Sequence, residues 1–231
     1  MTRKGFFPKI ARQLKNCIII LFVLQLLYIM YGRWYNPPIT ITQAGSLFGG
    51  YGLQRNYEPH SNISPYLRLA VIASEDQTFP DHDGIDWDAI EEAAEYNKTH
   101  TNKHGGSTIS QQTAKNYYLW QGKSYIRKGL EVYYTKMIEW TWSKQRILDA
   151  YVNIVEMGKG IFGAEAAAQQ YFGKAAKNLT LKESALIAAC LPNPKVWTLN
   201  PMHPRIAKRW PRILRQMNNI KNDSAIIVLI N

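Results

Sequence analysis

The chain has 231 residues, a formal net charge of +11 and two cysteines. This length is enough for one sizeable domain plus an appendage, with a core that needs no disulfide bonds. The charge favours an anionic partner such as nucleic acid, membrane headgroups or a phosphate-bearing substrate. Cys17 and Cys190 lie in an apolar run and an alanine-rich stretch. We interpret both as buried apolar thiols, which excludes a disulfide framework.

The N-terminus combines basic residues with a long apolar run. CIIILFVLQLLYIMY extends from Cys17 to Tyr31 and is interrupted only by Gln25. At about 1.5 Å per residue it is slightly short for a hydrocarbon core of about 30 Å, so flanking charged and aromatic side chains would extend it. A cleaved signal peptide is the alternative, but the GRWY that follows offers no small-x-small cleavage site. We therefore predict a single-pass signal anchor.

The basic residues before this run predict its orientation. Under the positive-inside rule, the short basic tail stays in the cytoplasm and everything after Tyr35 lies outside it. This topology argues against nucleic acid as a partner. The predicted segments are a cytoplasmic basic tail at 1–16, a transmembrane anchor at 17–35, a linker at 36–64, a main domain at 65–204, and a basic C-terminal helix with an apolar tail at 205–231.

The linker and the main domain differ in pattern. The linker is rich in Pro, Gly, Ser and Asn, with a candidate short strand at 39–42. Later segments show helical spacing and helix-start signals. The candidate start residues are Pro65, Asp86, Ser107 or Thr108, and Thr180 with Glu183. The stretch from 124 to 157 is interpreted as one long helix or as two joined near Ser143. Because no internal repeat and no alternating strand series occur, the predicted fold is mainly α.

Two carboxylates follow the first apolar helix of the main domain. Glu75 would lie at the C-terminal end of that helix, where the helix dipole does not favour a negative charge and burial disfavours it further. Both effects raise a carboxyl pKa toward the range that a general acid or base needs. The alternative is that Glu75 and Asp76 are surface carboxylates paired with lysine or arginine. Phe79 and His82 are interpreted mainly as residues that shape the following turn.

A glycine pair precedes the next polar helix, in HGGSTISQQTAKN (His104–Asn116). Such a segment can form a flap whose backbone amides face an anion, although it lacks the P-loop spacing. A polar strip at one-turn spacing would line a groove, or it would be an exposed amphipathic face. Its members are Ser107, Gln111, Gln112 and Lys115.

The segment GKSYIRKGLEVYYTKMIE brings charges of both signs onto half of a helical wheel. This pattern is typical of a solvated, salt-bridged face, but neighbouring aromatic residues favour partial burial. A buried Glu131 would need partners, and Arg127 and Lys128 lie in reach at i−4 and i−3. No His or Cys spacing typical of a dedicated metal site is present.

Five segments together occur in the order and spacing of the peptidoglycan glycosyltransferase family, family 51 of the glycosyltransferases. They are EDQTFPDHDGIDWDAI, GGSTISQQTAKN, RKGLE, KQRILDAYVNIVEMGKGIFGAEAAAQQYFGK and LTLKESALIAACLPNP, all within 65–204. The chain has no Ser-x-x-Lys or Lys-Thr-Gly motif of a transpeptidase domain, and it therefore resembles the monofunctional members. The resemblance implies a lysozyme-like α fold with a small membrane-proximal jaw.

The resemblance also implies a substrate and residue roles. The substrate would be lipid II, a disaccharide-pentapeptide on undecaprenyl diphosphate, and the product a growing glycan strand with inversion at the anomeric carbon. Glu75 matches the family's general base and Glu131 its second glutamate, which would position cations or help to hold a divalent metal, Mg or Mn. Residues expected to bind substrate or its diphosphate are Asp76, Phe79, His82, Ser107, Gln111, Gln112, Lys115, Lys123, Arg127, Lys128, Lys136 and Asn153.

The resemblance further implies a bacterial inner-membrane protein with its catalytic domain in the periplasm. Other cell-wall synthesis and division proteins are candidate partners. Two alternatives stay open from the sequence: a membrane-anchored, lysozyme-like hydrolase of finished peptidoglycan, and an inactive cell-wall scaffold. The apolar C-terminal SAIIVLIN is left unassigned, since it would either pack on the domain or lie against the membrane.

Overall fold

A computed structural model describes residues 6–101, 105–122 and 124–231. The chain divides into two compact units, 1–35 and 36–231. The described part of the first unit is dominated by helix α1, Phe6–Gly32. Its stretch Lys9–Gly32 has a mean hydropathy of 1.9 and is long and apolar enough to cross a membrane. Cys17 is exposed on this helix, so its predicted burial is wrong, since the side chains here are mostly exposed; Cys190 is buried as expected.

The second unit is mainly helical, which confirms the predicted fold class. Its helices are α2 Ile41–Phe48, α3 Pro65–Glu75, α4 Trp87–Thr99, α5 Ile109–Tyr118, α6 Tyr125–Thr141, α7 Lys144–Ile154, α8 Ala164–Phe172, α9 Leu181–Cys190, α10 Pro204–Ile220 and α11 Ser224–Ile230. Short 3₁₀ turns occur at His60–Asn62 and Ala176–Asn178. A small sheet has the order β1-β3-β2, with β1 at Gln54–Arg55, β2 at Glu156–Gly158 and β3 at Ile161–Phe162. β3 pairs parallel to β1 and antiparallel to β2.

Helix α3 forms the centre of the core. Every residue from Leu67 to Ala73 is buried, and the helix packs against α7, α9, α10 and α11. Apart from Arg68 this stretch is apolar on all sides, and such a helix is stable only when other elements surround it, which is the case here. Its last residue is Glu75. The packing of α3 therefore carries a carboxylate out of the core to the point where the chain turns.

Local capping chemistry explains where most of these helices begin. Ser64 caps α3 ahead of Pro65, and Asp86 caps α4. Of the two candidate caps, Ser107 and Thr108, it is Thr108 that caps α5, where it forms a capping box with Gln111. Thr180 and Glu183 form the predicted capping box of α9. The stretch interpreted as one or two helices is two, because Ser143 caps α7 directly after α6 ends.

The predicted strand at 39–42 is wrong. The β-branched ITIT sequence suggested it, but α2 begins at Ile41. The Thr40 hydroxyl accepts a hydrogen bond from the backbone N–H of Gln43, and the backbone N–H of Thr40 donates to Oε1 of Gln43. This reciprocal capping box satisfies two backbone donors at the helix start and outweighs the weak strand preference of the segment.

The unassigned C-terminal tail packs on the domain. It forms α11, which buries Ile226, Leu229 and Ile230 against α3 and α7. The buried guanidinium of Arg68 donates two hydrogen bonds to the carbonyl oxygen of Ile230, at 3.0 and 2.6 Å. The tail thus completes the core around α3 and supplies the acceptor that a buried arginine needs.

We expect Ile226→Ala to lower the stability of the domain by about 2–4 kcal/mol, because it leaves a cavity in a site that is 2% exposed. For a domain of this size the loss corresponds to a fall in Tm of roughly 5–15 °C. Val228 lies two residues further on and is 73% exposed, so Val228→Ala is the matched control and should change Tm little. Equal shifts for the two variants would show that α11 does not dock as described.

Candidate active site

Glu75 ends α3 with its carboxylate held by two other helices. One oxygen, Oε1, accepts from Nη2 of Arg209 on α10 at 3.1 Å. The other, Oε2, accepts from Nε2 of Gln112 on α5 at 3.1 Å. Burial raises the pKa of Glu75, and the charge of Arg209 and the hydrogen bond from Gln112 partly oppose that shift. A carboxylate in this environment is fixed in place and has the raised proton affinity that a general base requires.

The orientation of Gln112 is set by Tyr151. The buried Tyr151 hydroxyl on α7 donates to Oε1 of Gln112 at 3.1 Å, which leaves the amide nitrogen directed at Glu75. Four helices therefore converge on one carboxylate through a connected set of hydrogen bonds. Such preorganisation keeps the carboxylate in one position while a substrate enters.

The turn after Glu75 is held by its own polar residues. Asp76 receives hydrogen bonds from Nε2 of His82 at 3.1 Å and from the backbone of Ile109 at 2.9 Å. The other ring nitrogen of His82 accepts from the backbone of Gly84. Phe79 is fully buried, with Nζ of Lys144 4.7 Å from the centre of its ring. These contacts give Phe79 and His82 a part in shaping the turn; their expected contact with substrate stays a prediction.

Gly84 is required in this turn because of its close neighbours. It has a φ of +83°, and a Cβ there would lie 2.7 Å from Cγ of Glu139 and 2.8 Å from Cγ2 of Thr135. Its carbonyl accepts a hydrogen bond from the hydroxyl of Thr108, at the start of α5. The turn thus ties the first motif to the helix that carries Gln112.

A cleft of about 520 Å³ opens beside Glu75. Ser107, Asp76 and the backbone of Gly105 and Gly106 are among its lining groups. Gln111 is different: it is buried, and its side chain accepts from the backbone of Thr108 within the capping box. Ser107 is therefore placed to meet a ligand in the cleft, whereas the contacts of Gln111 give it a structural part.

A second cluster is centred on Glu131, whose side chain is 5% exposed. Its two oxygens accept from Nη1 of Arg127 and Nζ of Lys128, each at 2.6 Å. Both contacts were predicted from their spacing along the helix. Lys115 on α5 belongs to the same electrostatic cluster, since Glu131, Arg127 and Lys128 all influence its pKa. Burial is the largest influence and lowers the pKa of Lys115.

The side chain of Lys115 forms no hydrogen bond or ion pair with another residue in the described part of the chain, although its backbone oxygen accepts from Leu119. The cations around Glu131 outnumber its single negative charge, so the cluster keeps an excess positive charge. The charge of Glu75 also raises the pKa of Lys115, so the two clusters are neighbours. A half-buried ammonium without a counter-ion is suited to bind an anion that arrives from outside.

The remaining predicted site residues lie in other contacts or outside the description. Nζ of Lys136 donates to the backbone oxygen of Asp83 at 2.7 Å. Asn153 is buried and holds the backbone of Glu58 through both ends of its amide. No contact among the described residues brings either one to Glu75 or Glu131. Lys123 lies outside the described residues.

The described residues do not offer a convincing metal site. Asp76, His82 and Asp86 have ligand atoms within 4.8 Å of one another. However, Asp76 already accepts from His82 and Ile109, and Asp86 accepts from Thr78 and Ala89. These bonds fix a turn and a helix cap. Both oxygens of Glu131 likewise pair with Arg127 and Lys128, so Glu131 does not fit the role of a metal ligand.

Sequence reasoning missed Arg209. Its Nη2 contacts both the carboxylate of Glu75 and the backbone oxygen of Ser74, at 3.1 and 3.2 Å. A signal was available, because the buried residues of α10 are Ile206, Ile213 and Met217. At 100° per residue Arg209 falls about 60° from the centre of that buried stripe. A cation at the border of a buried stripe is expected to reach into the domain.

We expect Arg209→Gln to raise the pKa of Glu75, because it removes the positive charge that stabilises the ionised carboxylate. Activity at neutral pH should fall by roughly 10-fold and recover as the pH rises, since general-base catalysis contributes about 10²–10⁴-fold in full. The pH profile of kcat/KM for both proteins checks this. A uniform loss at every pH would contradict the effect through Glu75 and would indicate a packing defect.

Comparison with known proteins gives the family. A sequence profile of the Transglycosylase family matches residues 43–218. A biosynthetic peptidoglycan transglycosylase of Mannheimia succiniciproducens is 55% identical over 159 residues, which cover 69% of this chain and 65% of the relative. One of Caulobacter vibrioides is 41% identical over 218 residues, 93% of this chain and 95% of the relative. One of Bdellovibrio bacteriovorus is 41% identical over 208 residues, 87% and 83% of the two chains. The chain therefore belongs to the transglycosylase family, and it is a glycosyltransferase of peptidoglycan synthesis.

Proposed function

We propose that this protein, a peptidoglycan transglycosylase by family, elongates glycan strands from lipid II with Glu75 as the general base. Glu75 takes the proton from the 4-hydroxyl of the acceptor sugar as that oxygen attacks the anomeric carbon of the donor. The bond from that carbon to the lipid diphosphate breaks on the opposite face, so the configuration inverts. The observation that carries this proposal is a buried, hydrogen-bonded carboxylate beside a cationic cluster with an unpaired lysine.

The cationic cluster suits the leaving group. A lipid diphosphate leaves as an anion and needs its growing charge neutralised more than it needs a proton. Lys115, Arg127 and Lys128 supply that charge from two neighbouring helices. Glu131 holds Arg127 and Lys128 at 2.6 Å and thereby positions them, without itself contacting the reacting atoms. This arrangement favours the positioning role among the two considered for Glu131.

A divalent cation, Mg or Mn, is part of the proposal as an ion that arrives with the substrate diphosphate. The chemistry of the side chains supports this placement, since the described carboxylates near the cluster are already engaged. The prediction is that chelation slows polymerisation while the Tm of the substrate-free protein stays unchanged. A Tm that rises with added Mg²⁺ in the absence of lipid II would instead indicate a resident protein site.

We also propose that α1 anchors the protein in the inner membrane with the second unit in the periplasm. The described apolar helix and the basic residues Lys9, Arg12 and Lys15 at its N-terminal end support this topology. The substrate carries a lipid tail, so an anchored enzyme meets it within the same membrane. Proteins of cell-wall synthesis and division are the partners we propose for this location.

The test of the proposed function is polymerisation by the purified full-length protein in detergent. The protein is incubated with labelled lipid II and Mg²⁺, and the product is then digested with lysozyme. High-molecular-weight product that lysozyme cleaves supports the transferase. Shortening of finished peptidoglycan, with no polymer from lipid II, would replace it with the hydrolase. Folded protein with neither activity would indicate the scaffold.

A further inference from the structure

The solvent-facing side of α10 carries a basic stripe that the reaction does not use. Four cations fall within about 100° of arc on the helical wheel, facing away from its buried residues. The stripe consists of Arg205, Lys208, Arg212 and Arg215, all exposed. No Asp or Glu occurs anywhere in α10, PRIAKRWPRILRQMNNI. Like charges at i+3 and i+4 spacing repel one another, so an anion bound to this stripe would relieve that repulsion.

Part of the stripe borders a shallow, open groove along α10 next to the active site. A groove of about 460 Å³ is lined by Arg212, Arg215, Gln216, Asn218 and Asn219. Gln216 also lines the cleft that contains Glu75, so the two depressions adjoin each other. Among the described residues, neither the Arg212 nor the Arg215 side chain forms a hydrogen bond or ion pair, although the backbone of both lies within α10. Two free guanidinium groups with amide side chains beside them are well suited to bind carboxylates.

We propose that this groove binds the peptide stem of the substrate, and that the guanidinium groups of Arg212 and Arg215 bind the carboxylates of the stem. The inference rests on the proposed function, because that function places the acceptor sugar at Glu75. The distance from Glu75 to the groove is short enough for a stem to span. Arg209, which contacts Glu75, and Arg215 are separated by about 9 Å along the axis of α10. An extended pentapeptide spans up to about 17 Å. A stem on the sugar chain near Glu75 therefore reaches the groove.

The groove adjoins the cleft that contains Glu75, and this continuity favours the peptide stem over a membrane headgroup as the occupant. A phospholipid headgroup needs only exposed charge, whereas the groove combines charge with a shared wall to the catalytic cleft. The amide groups of Gln216 and Asn219 can in addition pair with the peptide bonds of a stem, whereas the Asn218 amide already contacts Leu214 and Lys221. The stripe would thus hold the acceptor strand in register while its terminal sugar reacts.

The test compares two substrates with two double variants. Full-length protein in detergent is assayed on lipid II with an ionised stem and on lipid II whose stem carboxylates are all amidated. Arg212→Gln/Arg215→Gln should raise KM for the ionised stem roughly 3- to 10-fold and leave the amidated substrate unchanged, as exposed ion pairs contribute modestly. The matched control Lys98→Gln/Lys177→Gln removes the same charge from exposed positions away from α10 and should change neither KM.

The other possible results of this comparison distinguish stem recognition from its alternatives. Equal losses on both substrates would overturn stem recognition. A loss that appears only when phosphatidylglycerol is added to the micelles, whatever the stem charge, would assign the stripe to membrane headgroups. If wild-type protein polymerises neither substrate, the proposed function fails; if it polymerises both and the variants do not discriminate, only this inference fails. Should the double variant not fold, Arg215→Gln alone allows the same comparison.

Discussion

Glu75→Gln is expected to abolish polymerisation of lipid II without unfolding the protein. Glutamine has nearly the same shape as glutamate and keeps an oxygen for Arg209, but it cannot take a proton from the acceptor hydroxyl. Loss of a general base lowers kcat by about 10²–10⁴-fold. The measurement is the initial rate of polymer formation from labelled lipid II. The matched control is Glu91→Gln, which removes an exposed carboxylate from α4 and should keep the wild-type rate.

The stability of this variant gives an independent check. Burial raises the pKa of Glu75, so the folded state binds its proton more tightly than the unfolded chain does. Stability from this group is therefore present at low pH and lost as the pH rises through the folded pKa. At neutral pH the Tm of Glu75→Gln should equal or exceed that of the wild type, and the difference should shrink in acid. A strong fall in Tm would show that the carboxylate stabilises the fold rather than serving catalysis.

The acid limb of the wild-type pH profile tests the same group. Because the base must be ionised, activity should fall as the pH drops through a pKa above the ordinary range of glutamate. Arg209 limits that elevation, because its positive charge stabilises the ionised form of the carboxylate. A profile that stays flat to the ordinary carboxyl range would contradict the burial of Glu75.

The parts of the site that depend on local sequence were predictable. The apolar run before Glu75 placed this residue at a helix end, and the spacing of Arg127 and Lys128 predicted the partners of Glu131. Helix caps were predictable for the same reason, since a cap and its donors lie within a few residues. The segment at 39–42 failed because two local signals competed, and the capping box of Thr40 outweighed β-branching.

The parts that depend on distant contacts were not predictable from one sequence. Arg209 and Glu75 are separated by 134 positions, and no periodicity specifies which side chain meets which. The same holds for Tyr151 and Gln112, which are 39 positions apart. The docking of α11 depends on a buried arginine in α3 that needs an acceptor, which only the three-dimensional packing reveals. Local patterns thus indicated the candidate base, whereas tertiary packing determined its electrostatic environment.

Lys115→Gln should have the second large effect, because it removes a cation of the Glu131 cluster whose side chain has no hydrogen-bond or ion-pair partner among the described residues. Preorganised charges that stabilise a developing anion contribute about 10²–10³-fold to kcat, so a loss of this size is expected in the polymerisation rate. The exposed Lys177 provides the matched control, and Lys177→Gln should leave the rate unchanged. A loss confined to KM, with kcat preserved, would mean that Lys115 binds the diphosphate equally in ground and transition states.

The pH dependence and the stability of this variant follow from the same burial. Burial lowers the pKa of Lys115, so the folded state disfavours its proton and the ammonium costs stability at neutral pH. That cost begins to fall as the pH passes the lowered pKa of the folded state and is gone above the ordinary lysine pKa, while the activity that needs the ammonium falls around the lowered pKa. Lys115→Gln should therefore keep or raise Tm at neutral pH and lose the basic limb of the rate profile. An unchanged basic limb would show that another group titrates there, and the diphosphate would then depend on Arg127 and Lys128 alone among the described cations.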